Sequence, residues 1–120
     1  MSEPGSPPEV KLVTDRPQPD DRGTVLAVEG EVDMLTANQF RVALEEALLD
    51  RPRVLVVDLS GLAFLGSVGL SQLVEASVAA GPGVMRVVAR DGPRRSIEVT
   101  GLDEVLAVAD TVEKAFGTEP

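Results

Sequence analysis

The chain contains no cysteine, no histidine, no tryptophan and no tyrosine. Without cysteine there can be no disulfide, no thiolate nucleophile and no cysteine-held metal. Without histidine it lacks the commonest general base at neutral pH and the commonest metal ligand. Three phenylalanines are the only aromatic residues, so platforms for stacking bases or sugars are poorly supplied. Positive charge is also scarce: eleven Lys and Arg stand against twenty Asp and Glu, a net charge of −9. That balance opposes nucleic-acid binding and anionic membrane surfaces, and suits meeting basic surfaces on other proteins. No apolar run reaches membrane-spanning length. The opening MSEPGSPPEV has neither the basic nor the apolar segment of a secretory leader. These absences together lead us to expect a cytoplasmic protein that holds no cofactor and no metal; a self-sufficient enzyme would have to work with carboxylates, Lys or Arg alone.

The length, 120 residues, fits one domain around one core. That core must be built from Val, Leu and Ala. Residues 1–8, rich in Ser, Pro and Gly, read as a frayed tail, and residues 9–118 as the domain. Val10 to Val13 reads as a short edge strand, and Thr14 to Gly23, with Pro17 and Pro19, as a turn. Thr24 to Val28 is a strand pattern followed by a loop from Glu29 to Asp33. Thr36 with Gln39 three residues on has capping-box spacing. Phe40, Leu44, Ala47 and Leu48 then repeat as a helix face, stopped by Asp50-Arg51-Pro52.

Val54 to Val57 is an unbroken apolar run, the pattern of a strand covered on both faces, ending at Asp58. Leu70, Leu73, Val74, Ser77 and Val78 mark another helix, closed by Gly81-Pro82-Gly83, and Val84 to Ala89 a strand. This unit predicts parallel strands joined by a helical crossover. Asp91-Gly92-Pro93 opens a short helix to about Thr100. Val105 to Val108 reads as a last strand, and Asp110 with Glu113 caps a terminal helix to Phe116. The expected fold is α/β: a mixed sheet of four or five strands packed with about four helices.

Chemistry concentrates at Gly66-Ser67-Val68-Gly69, where the strand pattern becomes helical. A hydrolase elbow requires G-x-S-x-G, and Leu65 stands where its first glycine belongs. No Ser-His-Asp relay can form, and the only lysines, Lys11 and Lys114, lie near the chain ends. Gly61 and Gly66 have P-loop spacing, but Ser67 occupies the place of the essential lysine. Ser67 can still be a helix cap, a role worth roughly 1 kcal/mol, or a residue that another enzyme modifies. Gly69, in the first helical turn, costs up to ~1 kcal/mol relative to alanine. Close approach from outside and a tight internal contact both account for it. Arg90, Arg94 and Arg95 form a basic cluster that reads as a solvated face, with contact to a nucleotide or a partner as the alternative.

GEVDMLTA (Gly30 to Ala37), VVDLSGLAFLGSVGLSQL (Val56 to Leu73) and GLDEVLAV (Gly101 to Val108) occur in an order and spacing that resembles the STAS-domain anti-sigma factor antagonists of bacterial partner switching. The resemblance covers nearly all of the chain after the tail, and implies a STAS domain over residues 9–118. It implies an antagonist that binds an anti-sigma factor, itself an ATP-binding serine kinase, and so frees a sigma factor. Phosphorylation would end the binding and a PP2C-type phosphatase would restore it. The family pattern F-x-D-S-S/T-G-L places the phosphorylated residue at Ser67, with Gly66 replacing its aspartate and Val68 following. Asp33, Gly66, Val68, Gly69 and Leu70 are the matching partner contacts, although Leu70 also fits the core stripe. Two other roles remain open: a STAS regulatory subunit of a larger assembly such as a lipid ABC transporter, and a small-anion or nucleotide sensor.

Overall fold

The structure, a computed structural model, describes residues 11–117. The expected tail, the start of the expected first strand and the expected domain ends at 9 and 118 lie outside the described residues. The elements run β1 (Leu12–Thr14), β2 (Gln18–Asp20), β3 (Gly23–Val32), α1 (Ala37–Leu49), β4 (Leu55–Leu65), α2 (Ser67–Ala80), β5 (Met85–Val88), α3 (Asp91–Val99), a 3-10 turn (Leu102–Glu104), β6 (Ala107–Ala109) and α4 (Val112–Gly117). They form one mixed six-stranded sheet in the order β1-β3-β4-β5-β6, with β2 also pairing β3. Pairing is parallel from β3 through β6, and antiparallel where β1 and β2 meet β3. The α/β class and the parallel β4–α2–β5 unit are as expected from the sequence.

Alternation along β4 and β5 divides the core. Leu55, Val57, Leu59, Met85 and Val87 join Phe40, Leu44, Leu70, Leu73 and Ile97 beneath α1, α2 and α3. Val56 and Val88 point to the other face, where Ala115 and Phe116 of α4 cover them. The Val54–Val57 run is apolar throughout because both faces of this strand are covered. Arg86, also on the α4 face, is buried. Its guanidinium donates to the carbonyls of Gly83, Ala115 and Phe116 at 3.3, 3.0 and 3.2 Å. At Ala115 and Phe116 this cation satisfies carbonyls that the last turn of α4 leaves without partners.

Several expected boundaries move. Gln18–Asp20 is a strand rather than a turn: all three residues are exposed, and an edge position tolerates Pro19. Both central strands outrun their apolar cores. The β3–β4 ladder shifts register between Ala27 and Glu29 and again between Gly30 and Glu31, so pairing continues to Val32 and Leu65. Glu29 to Glu31 and Asp58 to Gly61, which look like loop residues, therefore lie within strands. Gly30 has φ 109°, and a Cβ there would lie 2.1 Å from the Lys11 carbonyl oxygen. Only glycine lets β1 lie this close.

The Thr36–Gln39 capping box does not form. The Thr36 hydroxyl donates to the Glu31 carbonyl at 2.8 Å and accepts from the Asp33 N–H at 3.0 Å, while Gln39 Nε2 reaches the Leu12 carbonyl. Val78 is 73% exposed, because the buried stripe of α2 runs through Gly69, Leu70, Leu73 and Ala76. The last strand starts at Ala107, because the Val105 and Leu106 N–H groups fold back onto the Leu102 carbonyl at 3.0 and 2.7 Å. Thr111, not Asp110, caps α4 by accepting the Lys114 N–H; Asp110 pairs with Arg94 and Lys114 instead.

Candidate functional site at the ends of the central strands

Parallel β3 and β4 finish in register at Val32 and Leu65, and the Gly66 N–H donates to the Val32 carbonyl at 2.9 Å. The two following loops, Asp33–Thr36 and Gly66–Ser67, therefore leave the sheet side by side. The carboxyl ends of parallel strands are where open α/β sheets characteristically place their sites. The loops that carry Asp33 and Ser67, 34 positions apart, therefore lie at one edge of the sheet.

Ser67 is exposed at the first position of α2. It is not the cap: Gly66 holds that place with an extended backbone, φ −81° and ψ 175°, and its carbonyl accepts the Leu70 N–H at 3.1 Å. The Ser67 hydroxyl makes no hydrogen bond among the described residues. An exposed serine one residue past the cap leaves the capping place, and the helix's first donors, to backbone and solvent.

The glycines on either side serve the interior. A Cβ on Gly66 would stand 3.1 Å from the Phe64 ring and 3.3 Å from the Val32 carbonyl oxygen. Gly69 is buried, and a Cβ there would lie 2.6 Å from Val32 Cγ1 and 2.7 Å from Leu65 Cδ1. Of the two accounts of Gly69, internal packing suffices: the glycine lets α2 begin directly on the ends of β3 and β4. Leu70, 6% exposed, packs in the core, as the stripe of α2 requires. Of the expected contact residues, Asp33, Gly66 and Val68 retain some exposure.

Asp33 organises the neighbouring loop. Its Oδ1 accepts the N–H groups of Leu35 and Thr36 at 2.9 and 3.1 Å, and Lys11 Nζ lies 3.2 Å from Oδ2. The Lys11 ammonium, with the two backbone donors, holds the Asp33 carboxyl below its ordinary aspartate range, against a partial desolvation that works the other way. Asp33 thus shapes the loop as well as bordering Ser67.

Three site residues escape a reading of the sequence. Met34 and Leu35 are 88% and 81% exposed, and Phe64 is 51% exposed. The first two sit in the loop held by Asp33, and Phe64 packs beside Gly66. An apolar pair between a loop aspartate and a helix start was the available signal. For Phe64 the register shifts hide which face of β4 it occupies. On the other flank, α3 forms a cleft with the start of α2, lined by Leu65, Ser67, Leu70, Gly92, Arg95, Ser96, Val99 and Thr100. Arg94 does not join it, being paired with Glu98 and Asp110.

Among the described residues no cluster of acids could hold a metal ion, and no helix is long and apolar enough to cross a membrane. Chemically, the edge offers one unengaged hydroxyl beside exposed apolar side chains. It is suited to recognition by another protein and to modification.

The family model of the STAS domain matches residues 13–115. The chain is 42% identical over 94 residues to the anti-sigma-F factor antagonist RsfB of Mycobacterium tuberculosis, covering 77% of each protein. Its structure is similar to a crystal structure of an anti-sigma factor antagonist from Mycobacterium paratuberculosis. That pair has a TM-score of 0.83 and 36% identity, covering 98% of this chain and 97% of the other. The anti-sigma factor antagonist SpoIIAA, solved in its unphosphorylated form, shares the fold with a TM-score of 0.57 at 18% identity, covering 85% of this chain and 92% of that one.

Proposed function

This chain belongs to the STAS domain family, and we propose that it acts there as an anti-sigma factor antagonist, a regulatory protein rather than an enzyme, switched at Ser67. Its 42% identity to an anti-sigma-F factor antagonist supports that role. The binding edge comprises Asp33, Met34, Leu35, Phe64, Gly66, Ser67 and Val68, with Gly69 and Leu70 shaping it from beneath. Its partner is an anti-sigma factor that is also a serine kinase, and occupation of that partner frees a sigma factor in the cytoplasm. The kinase transfers the γ-phosphoryl group of ATP to Ser67 Oγ, releasing ADP and the hydroxyl proton. A PP2C-type phosphatase hydrolyses the ester and restores binding. Residues 9–118 constitute the working domain.

The observation that carries this reading is the unengaged Ser67 hydroxyl at the first position of a 14-residue helix. A phosphate at a helix N-terminus is stabilised by roughly 0.3–1 kcal/mol, so modification leaves the domain folded and acts at the interface. There it adds about −1.5 to −2 charge. A unit charge forced within ~4 Å of a partner carboxylate at an effective dielectric of ~20 costs about 4 kcal/mol, roughly a thousandfold in affinity.

The test is to incubate the protein with its anti-sigma factor and ATP, map phosphate by mass spectrometry, and compare the affinity of wild type with Ser67→Glu. We expect phosphate on Ser67 and weakened binding by a folded variant. Equal affinities, or phosphate only elsewhere, would refute the switch.

A further inference from the structure

Arg95 is the only charged residue among the eight that line the cleft between α2 and α3. In a chain with nearly twice as many acids as bases, a cleft holding a cation and no carboxylate stands out. The neighbouring acids are placed elsewhere: Glu98 and Asp110 both engage Arg94. Arg95 itself is exposed and makes no ion pair or hydrogen bond among the described residues. Across the same cleft stands the unengaged hydroxyl of Ser67. The space, about 490 Å³, accommodates a phosphoryl group beside a guanidinium.

We propose that Arg95 is the internal receiver of the phosphate, pairing with it once Ser67 is modified; this rests on the reading of Ser67 as the modified residue. A guanidinium matches phosphate oxygens with two parallel N–H donors, a geometry that a lysine ammonium cannot supply. The Ser96 hydroxyl, on the same wall, is a further available donor, whereas the Thr100 hydroxyl is committed to the carbonyls of Ser96 and Ile97. Pairing changes the cleft's charge in two ways at once. The unmodified wall carries about +1; the modified one carries about −0.5 to −1, with its only cation neutralised. A partner acid that approaches this flank loses an attraction and meets a repulsion. The switch then reports through α3 as well as through Ser67.

The test places phosphoserine at position 67 during synthesis of the full chain, so that no kinase is needed, and follows the phosphate by 31P NMR titration. With Arg95 present, the second phosphate ionisation should lie about one pH unit below that of the Arg95→Gln variant, the order of shift a neighbouring arginine produces. Arg94→Gln and Arg90→Gln should leave it in place, and Arg95→Lys should recover only part of the shift. Superimposable curves for wild type and Arg95→Gln would overturn the proposal. So would equal shifts from all three arginines, which would indicate a diffuse field. Because Arg95 is exposed and unpaired among the described residues, the unphosphorylated Arg95→Gln and Arg95→Lys variants should unfold at the same denaturant concentration as wild type. If the Ser67 reading is wrong, kinase treatment adds no phosphate there while the titration difference persists; if only Arg95 is wrong, the reverse holds.

Discussion

Replacing Gly69 with alanine sets two forces against each other. Alanine gains up to ~1 kcal/mol over glycine in a helix, so a glycine kept only for an approaching partner should be improved upon by this change. The structure predicts the opposite. The added methyl carbon would sit 2.6 Å from Val32 Cγ1 and 2.7 Å from Leu65 Cδ1. Leu65 can swing its terminal methyl aside, but Val32 is β-branched, fully buried and held in the sheet. Overpacking of this kind costs typically 1–3 kcal/mol. Setting the propensity gain against it leaves a net loss of about 1 kcal/mol, within a range of ~0–2. For a domain of this size that is roughly 4 °C in Tm. The assay is urea unfolding of Gly69→Ala, Val32→Ala and the pair. Val32→Ala alone opens a cavity; in the double variant the new methyl occupies that space, so the losses should fall short of additive by about 1 kcal/mol. A Gly69→Ala protein more stable than wild type, or additive losses, would refute the packing account. A loss of anti-sigma affinity with stability intact would return Gly69 to the partner interface.

Thr36→Val should destabilise by about 1–3 kcal/mol, because the Glu31 carbonyl and Asp33 N–H would lose a buried hydroxyl partner. Hydrogen exchange should show the loop at 33–36 opening faster, and unchanged exchange there would contradict the assignment. Arg86→Met should cost about 1–3 kcal/mol and unprotect α4 most, since two of its carbonyls and that of Gly83 lose a charged donor; exchange in α4 that matches wild type would remove its role as a clamp. Asp33 titrates below its ordinary value in the folded chain, chiefly through Lys11. Its contribution to stability is therefore complete above the unfolded value, about 3.9, and disappears as pH falls through the lower folded value. Urea midpoints measured from about pH 5 down to about pH 3 should fall less steeply for Asp33→Asn than for wild type, and parallel acid limbs would show that the Lys11 contact contributes nothing.

Most of the framework was legible because aliphatic periodicity reports burial directly. The Val54–Val57 run and the Phe40, Leu44 and Ala47 stripe each announce the element they form, and the parallel β4–α2–β5 unit follows from them. What could not be read has local physical causes. Two register shifts carry β3 and β4 through Glu29–Glu31 and Asp58–Gly61, residues whose polarity looks like loop. Thr36 and Gln39 have capping-box spacing, yet tertiary partners at Glu31 and Leu12 compete successfully for their side chains. Ser67 was identifiable as a candidate site, but its position one residue past the cap depends on Gly66 taking the extended conformation. The apolar rim of Met34, Leu35 and Phe64 required the fold, since apolar residues normally indicate core.

That one-residue displacement decides what Ser67 can do. As a cap, its oxygen would be engaged with the second or third N–H of α2, and phosphorylating it would break a stabilising bond. One position further on, the cap is a glycine that contributes only backbone, and the serine hydroxyl is left unbound. Modification then disrupts no intramolecular hydrogen bond of the hydroxyl, and the helix end accommodates the added charge. Gly69 and Val32 hold this helix start against the sheet, so the hydroxyl is presented on rigid backbone rather than on a mobile loop. The proposed switch at Ser67 would use this separation: packing beneath the site sets its position, and chemistry above it would change only the surface that a partner meets.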